Sequence, residues 1–131
     1  MGECHYRSGN YEALNKIAFI RMILKSLEIN TNRVALKWAS AAEGPLFVKL
    51  ITEFTGKIKD IGTLGSGEGL NREELIRKMK AASVAAEGMK VRMAFAKQAK
   101  QIKKDKAYGH LPSEEKLLTV LMNEMARYEK L

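Results

Sequence analysis

Apolar residues recur at three- and four-residue steps through most of this chain, which restricts the bulk of it to packed amphipathic helices. Ile17, Ile20, Leu24 and Leu27 form the first stripe and predict a helix over 10–29. Ser8 and Asn10 are suitable N-caps, and Asn30, Thr31 and Asn32 end the pattern with residues that favour turns. The period then changes. Val34, Leu36 and Trp38 alternate with Arg33, Ala35 and Lys37, predicting one short strand over 33–39 with a buried and a charged face. Phe47, Leu50, Ile51, Phe54, Ile58 and Ile61 return to helical spacing and predict a helix over 44–61, with Pro45 in its first turn.

Four glycines between Gly62 and Gly69 break all periodicity, so the chain is expected to divide there. Beyond them Asn71 and Glu74 have capping-box spacing. Leu75, Met79, Ala82, Ala86, Met89, Met93 and Ala96 continue on one seam, predicting a single long helix over 71–105. Its small and flexible seam residues pack less decisively than Leu and Ile, so it needs a partner surface. Ser113 is placed to cap a last helix over 113–129 that buries Leu117, Leu118, Leu121, Met122 and Met125. The expected fold is mostly α with one short β-strand. A strand between two amphipathic helices is the unit of layered α/β domains, and one strand cannot satisfy its own edges. Trp38, Phe47, Leu50, Ile51, Phe54 and Ile58 are expected to form the core of the first half, joined by Ile17, Ile20 and Leu24.

Composition narrows the function classes. With 131 residues, 46% hydrophobic and 29% charged, the chain has the balance of one folded domain, alone or with an appendage. No apolar run reaches the roughly 20 residues of a spanning helix, and the first residues carry no export signal. One cysteine, Cys4, excludes an internal disulfide and fits a reducing compartment, so a cytoplasmic location is expected. The formal charge of +8 is uneven. Residues 1–62 hold nine Lys and Arg against six Asp and Glu, and 63–131 hold fourteen against nine. Within 90–106, Lys90, Arg92, Lys97, Lys100, Lys103, Lys104 and Lys106 face only Asp105. That run admits a second reading as a small basic helical protein that binds nucleic acid, although recognition ordinarily adds a motif or interleaved aromatics, and only Phe95 and Tyr108 are near. Docking against an acidic partner is the commoner use of such a helix face, and a third reading makes 71–131 a docking arm that lays its Met and Ala seam in a partner's groove.

Chemistry-bearing residues are few. Cys4 precedes the first helix, where the helix dipole favours a thiolate and so a metal or cluster ligand or a nucleophile. By composition alone, a lone cysteine near a terminus is incidental. His5 and His110 are too few and too far apart for a zinc pattern. The glycine-rich stretch lacks the Gly-Lys-Ser/Thr of a phosphate loop, and Glu114 and Glu115 serve a helix start rather than a catalytic pair.

The run Gly2-Glu3-Cys4-His5-Tyr6-Arg7-Ser8-Gly9-Asn10-Tyr11 resembles the Gly-Asp/Glu-Cys-His-Tyr-x-x-Gly-Asn motif of the delta subunit of methyl-viologen-reducing hydrogenases, a family of hydrogenase iron–sulfur subunits. The resemblance continues through Trp38-Ala39-Ser40-Ala41-Ala42-Glu43-Gly44, through Glu53-Phe54, and through the glycine-rich stretch 61–69, and it is read as specific from 2 to about 80. It implies a non-catalytic electron-transfer subunit that carries a 2Fe–2S cluster. Such a protein works between a hydrogenase, or another donor, and a heterodisulfide-reductase-type flavoprotein. The resemblance also implies that 1–62 is the C-terminal half of an α/β domain, 63–70 a linker and 71–131 a helical extension. Cys4 is then the candidate metal ligand, and no catalytic residue is assigned. The family begins with a Cys-x-x-Cys segment that this sequence does not contain, so the sequence is read as starting inside the motif. One cysteine cannot supply four thiolates, so the chain alone is expected to hold no cluster.

Overall fold

The computed structural model describes residues 9–128. Five helices account for most of them: α1 (Gly9–Ser26), α2 (Gly44–Ile61), α3 (Arg72–Glu87), α4 (Met89–Asp105) and α5 (Glu114–Tyr128), with short 3-10 turns at Thr31–Arg33 and Ser66–Glu68. The mostly helical class is as expected. Among the described residues there is no strand, which corrects the strand expected over 33–39 and with it the layered α/β arrangement. Residues 34–40 take no regular secondary structure, although Val34 at their start is extended, with φ −124° and ψ 124°. Val34 and Leu36 are half-buried while Ala35 and Lys37 are exposed, so the period-two alternation holds over 34–37 and fails at Arg33, which is enclosed, and at Trp38, which is exposed. Val34 and Leu36 line a small cleft together with Leu50 and Phe54 of α2. Among the described residues no strand lies alongside, so no ladder forms there.

The helix ends follow local chemistry. α1 stops at Ser26 because Glu28 takes a left-handed conformation, φ 60°, while the Ile29 amide donates back to the Leu24 carbonyl at 2.9 Å. Asn30 then accepts from the Asn32 amide at 3.0 Å and starts the 3-10 turn. α2 has the predicted ends: Pro45 sits in its first turn and Gly62, φ 85°, closes it. Asn71 caps α3 by accepting from the Glu74 amide at 3.1 Å.

The long helix expected over 71–105 is two helices. Gly88, at φ −65° and ψ 146°, ends α3 and begins α4. An interior glycine weakens a helix by about 1 kcal/mol relative to alanine, little enough for tertiary packing to decide whether the helix continues. The bend turns α4 so that Val91, Gln98 and Ile102 face inward. Met89, which the straight seam would bury, is 76% exposed.

The core lies elsewhere than the sequence suggests. Met22, Leu27 and Ile29 join Leu75, Ala81, Ala82, Ala85, Val91, Ile102, Leu111, Leu117, Leu121 and Met125 in one buried cluster. α3, α4 and α5 form its frame and α1 packs on α5. The segment before the glycine-rich stretch therefore shares a core with the segment after it. Phe19 of α1 stacks on Phe95 of α4, ring centroids 4.8 Å apart. One buried amide adds to the join, and a second ties α4 to the start of α5. Asn15 accepts from the Gly109 amide at 3.1 Å, and Gln98 donates to the Ser113 carbonyl at 2.7 Å.

The expected first-half core does not form. α2 has no buried residue, Trp38 is 41% exposed and Phe47 is 57% exposed. Ile20 is exposed as well, and Met22, not Ile20, faces the core from α1. In α5, Leu117, Leu121 and Met125 are buried as expected, Leu118 is half-buried and Met122 is exposed.

Candidate functional site

Cys4, the one sequence-predicted site residue, lies outside the described residues, as does His5. Among the described residues no group of three His, Cys, Asp or Glu could hold a metal ion. His110 is exposed on the connection between α4 and α5. No helix among the described residues is long and apolar enough to cross a membrane.

Of the other described residues that carry the resemblance, Gly9, Asn10 and Tyr11 open α1, and the rest lie in or beside α2. The Ser40 amide donates to Glu43 Oε2 at 2.6 Å, which closes the turn that enters α2. That backbone hydrogen bond, followed by one from the Ser40 side chain, holds the Glu43 carboxyl below its ordinary range. Glu53 and Phe54 part in their surroundings: Phe54 is half-buried over 34–37, and Glu53 is exposed with its carboxylate 4.0 Å from the Lys49 ammonium. The Leu50 and Phe54 edge of the apolar stripe is half-buried beside residues 34–37, while Phe47, Val48 and Ile51 are open. Three large apolar side chains at i, i+1 and i+4 on an otherwise polar surface are a contact face without its contact. Replacing Phe47 and Ile51 together by serine is expected to reduce binding of the fluorophore ANS while moving the melting temperature by no more than about 2 °C. A loss of more than that would place α2 in the core.

The stretch 62–69 is an ordered turn. Arg33, which alternation puts on the solvent face of a strand, reaches across it instead. Its Nε meets Glu68 Oε1 at 2.5 Å, and its two terminal nitrogens donate to the Gly62 carbonyl at 2.9 Å and the Thr63 carbonyl at 3.1 Å. Glu68 also accepts from the Asn30 amide at 3.2 Å and the Gly65 amide at 3.0 Å. Both charged side chains are largely enclosed, 11% and 8% exposed. The Arg33 guanidinium, by hydrogen bonding above all, holds Glu68 at about 2 instead of 4.5. Gly65 sits at φ 87°, and a Cβ on Gly67 would collide with the Ile61 carbonyl. Nothing in the sequence pairs two residues 35 positions apart, so this clamp was not legible in it.

Residues 1–62 match the family model of the methyl-viologen-reducing hydrogenase delta subunit, so the resemblance read from the Cys-His-Tyr motif is shown over that segment. Over 62 residues the chain is 40% identical to an iron-sulfur subunit of the F420-non-reducing hydrogenase of Archaeoglobus profundus, covering 47% of this chain and 45% of that one. A second relative, from the ferredoxin:CoB-CoM heterodisulfide reductase of Methanosarcina mazei, is 39% identical over 66 residues, 50% of this chain and 8% of that one. The vhu iron-sulfur subunit of the F420-non-reducing hydrogenase of Methanocaldococcus jannaschii is 34% identical over 61 residues, 47% of this chain and 46% of its own. The chain thus spans about half the length of the hydrogenase relatives it matches. No solved structure matches it.

An iron–sulfur cluster is held by four thiolates, or by thiolates with histidines in their place. One cysteine in the whole sequence, with no cluster of potential ligands among the described residues, does not fit a complete site. A complete site needs thiolates that these 131 residues do not contain.

Proposed function

We propose that this protein is a non-catalytic part of an electron-transfer assembly, working beside a hydrogenase and a heterodisulfide-reductase-type flavoprotein. The match over 1–62 carries the reading. The same segment amounts to about half of a hydrogenase subunit in one relative and a small fraction of a reductase chain in another, the behaviour of a module used wherever those two machines meet. The open face of α2 supports it, because Phe47, Val48 and Ile51 suit a helix covered by a neighbouring protein. In this reading 1–62 carries the family role, 63–70 joins it to the helices beyond, and 71–131 is a helical extension. The division is one of function, since α1 shares its core with α3, α4 and α5.

Cys4 is the residue of this chain that could ligate a 2Fe–2S cluster, with the other ligands drawn from a chain bearing the family's Cys-x-x-Cys segment. Two experiments separate the parts of the proposal. Co-production with hydrogenase and heterodisulfide-reductase-type subunits should yield a stable complex, weakened by Phe47→Glu with Ile51→Glu; failure to co-elute with either removes the assembly role. For the ligand, the protein purified alone should be colourless and iron-free. Together with a chain that supplies the Cys-x-x-Cys segment it should take up iron, and Cys4→Ser should then lower occupancy or shift the visible spectrum, because oxygen replaces a softer donor. Identical iron content and spectrum in the Cys4→Ser protein would remove Cys4 from the ligand set and leave the assembly role standing.

A further inference from the structure

Beyond the segment that matches the family, α4 presents an outward face with its own logic. Val91, Gln98 and Ile102 fix the inward direction of this helix. Arg92, Lys97, Lys100, Lys103 and Lys104 therefore point outward, with Met93 and Ala96 exposed among them. The one carboxylate of α4, Asp105, is occupied by the Gln101 side chain at 2.6 Å. Lys90 pairs with Glu124 at 3.1 Å, while among the described residues no carboxylate lies within ion-pair distance of Lys97, Lys100, Lys103 or Lys104.

This face runs into a groove of about 350 Å³ between α1 and α4. Its floor is apolar and aromatic. Tyr11 of α1 stacks on Tyr108 with ring centroids 4.1 Å apart, and Phe95 and Ala99 continue the surface. Its rim is cationic, with Lys16 on one side and Lys100 and Lys103 on the other, and among the described residues that line it Glu12 is the one carboxylate. Clustered cations beside an aromatic-floored groove attract negative charge and also hold an apolar side chain that water solvates poorly. A bare phosphate chain satisfies the first property only.

We propose that the α1–α4 groove and the cationic face of α4 dock an acidic segment of a partner protein, with one apolar side chain of that segment seated on the surface that the stacked Tyr11–Tyr108 pair makes with Phe95 and Ala99. The inference stands apart from the iron–sulfur reading, since it rests on the α1–α4 groove and the cationic face of α4 and needs no cluster. Long-range attraction steers the segment to α4, and the buried anchor slows its release.

The test uses the full chain and three fluorescein-labelled probes: an amphipathic peptide of Glu, Leu and Phe, a poly-glutamate of equal charge, and oligo-dT. The peptide is expected to bind at least about tenfold more tightly than poly-glutamate, and its affinity should fall steeply with added salt. Lys100→Glu with Lys103→Glu should weaken the peptide about tenfold or more. Ala96→Trp, which fills the groove without touching charge, should abolish the peptide's advantage and leave poly-glutamate binding in place. Thermal melts check that each variant folds, and if the double charge reversal unfolds the protein, Ala96→Trp decides alone. Equal binding of peptide and poly-glutamate, tighter binding of oligo-dT than of the peptide, or no binding at low salt overturns the proposal.

Discussion

Leu121→Ala is expected to lower the unfolding free energy by about 3 kcal/mol, a fall of roughly 10 °C in melting temperature for a chain of this size. Leu121 and Leu117 are fully enclosed on α5, facing the inner surfaces of α3 and α4 together with Val91 and Ile102. Truncating either removes apolar surface already withdrawn from water and leaves a cavity that three helices cannot close at once. Phe47→Ala supplies the contrast: it removes a larger side chain and should change stability by no more than about 0.5 kcal/mol, because that ring is already in solvent. Chemical denaturation of the two variants side by side tests where the core sits. A larger loss at Phe47 than at Leu121 would return the core to α2 and refute the bundle.

That contrast also marks what periodicity can carry. Spacing located α2 to its ends, because Pro45 and Gly62 punctuate it with fixed backbone preferences. It did not say what α2 packs on. Phe47, Ile51, Phe54 and Ile58 make the clearest stripe in the chain, yet a stripe reports only that a face is apolar, and here part of that face stays open. α1 failed in the opposite way. Ile17, Ala18, Phe19, Ile20, Met22, Ile23 and Leu24 are apolar nearly all round, so several faces compete, and the choice of Met22 over Ile20 falls to contacts with distant helices. Gly88 was visible in the sequence, but its effect hinges on about 1 kcal/mol set against tertiary packing that local sequence does not contain. The alternation over 33–39 correctly assigned Val34 and Leu36 inward but not Trp38, which is exposed, nor Arg33, which is enclosed by its pairing with Glu68; pairing as a strand required a second one, which no residue in that stretch could announce. For the site, the Cys-His-Tyr motif pointed to the family that 1–62 matches, while the role of Cys4 itself stays a proposal.

Arg33→Met should lower stability by about 2 kcal/mol at neutral pH, somewhat less than the roughly 3 to 5 kcal/mol typical of breaking a fully enclosed ion pair, since the guanidinium also reaches exposed carbonyls. The cost arises because Glu68, 8% exposed, would keep only the Asn30 and Gly65 amides and lose its cation. The same pair sets an acid dependence. The Glu68 carboxyl is held at about 2 when folded against 4.5 ordinarily, chiefly by its hydrogen bonds to Arg33. Between those values the unfolded chain binds a proton that the folded chain refuses. The clamp's contribution is therefore complete above about pH 4.5 and is lost progressively as the pH falls toward 2. In Glu68→Gln the carboxyl is gone, so that variant should start less stable at pH 7 and lose less between pH 4.5 and 2 than the unaltered protein. Urea unfolding at pH 7, 4.5 and 3 measures both terms. Parallel curves for the two proteins would mean that Glu68 titrates alike in the folded and unfolded chain. The glycine-rich turn would then be held by Gly65 and Gly67 and the backbone bonds among 62–70, with the ion pair an accessory on its surface.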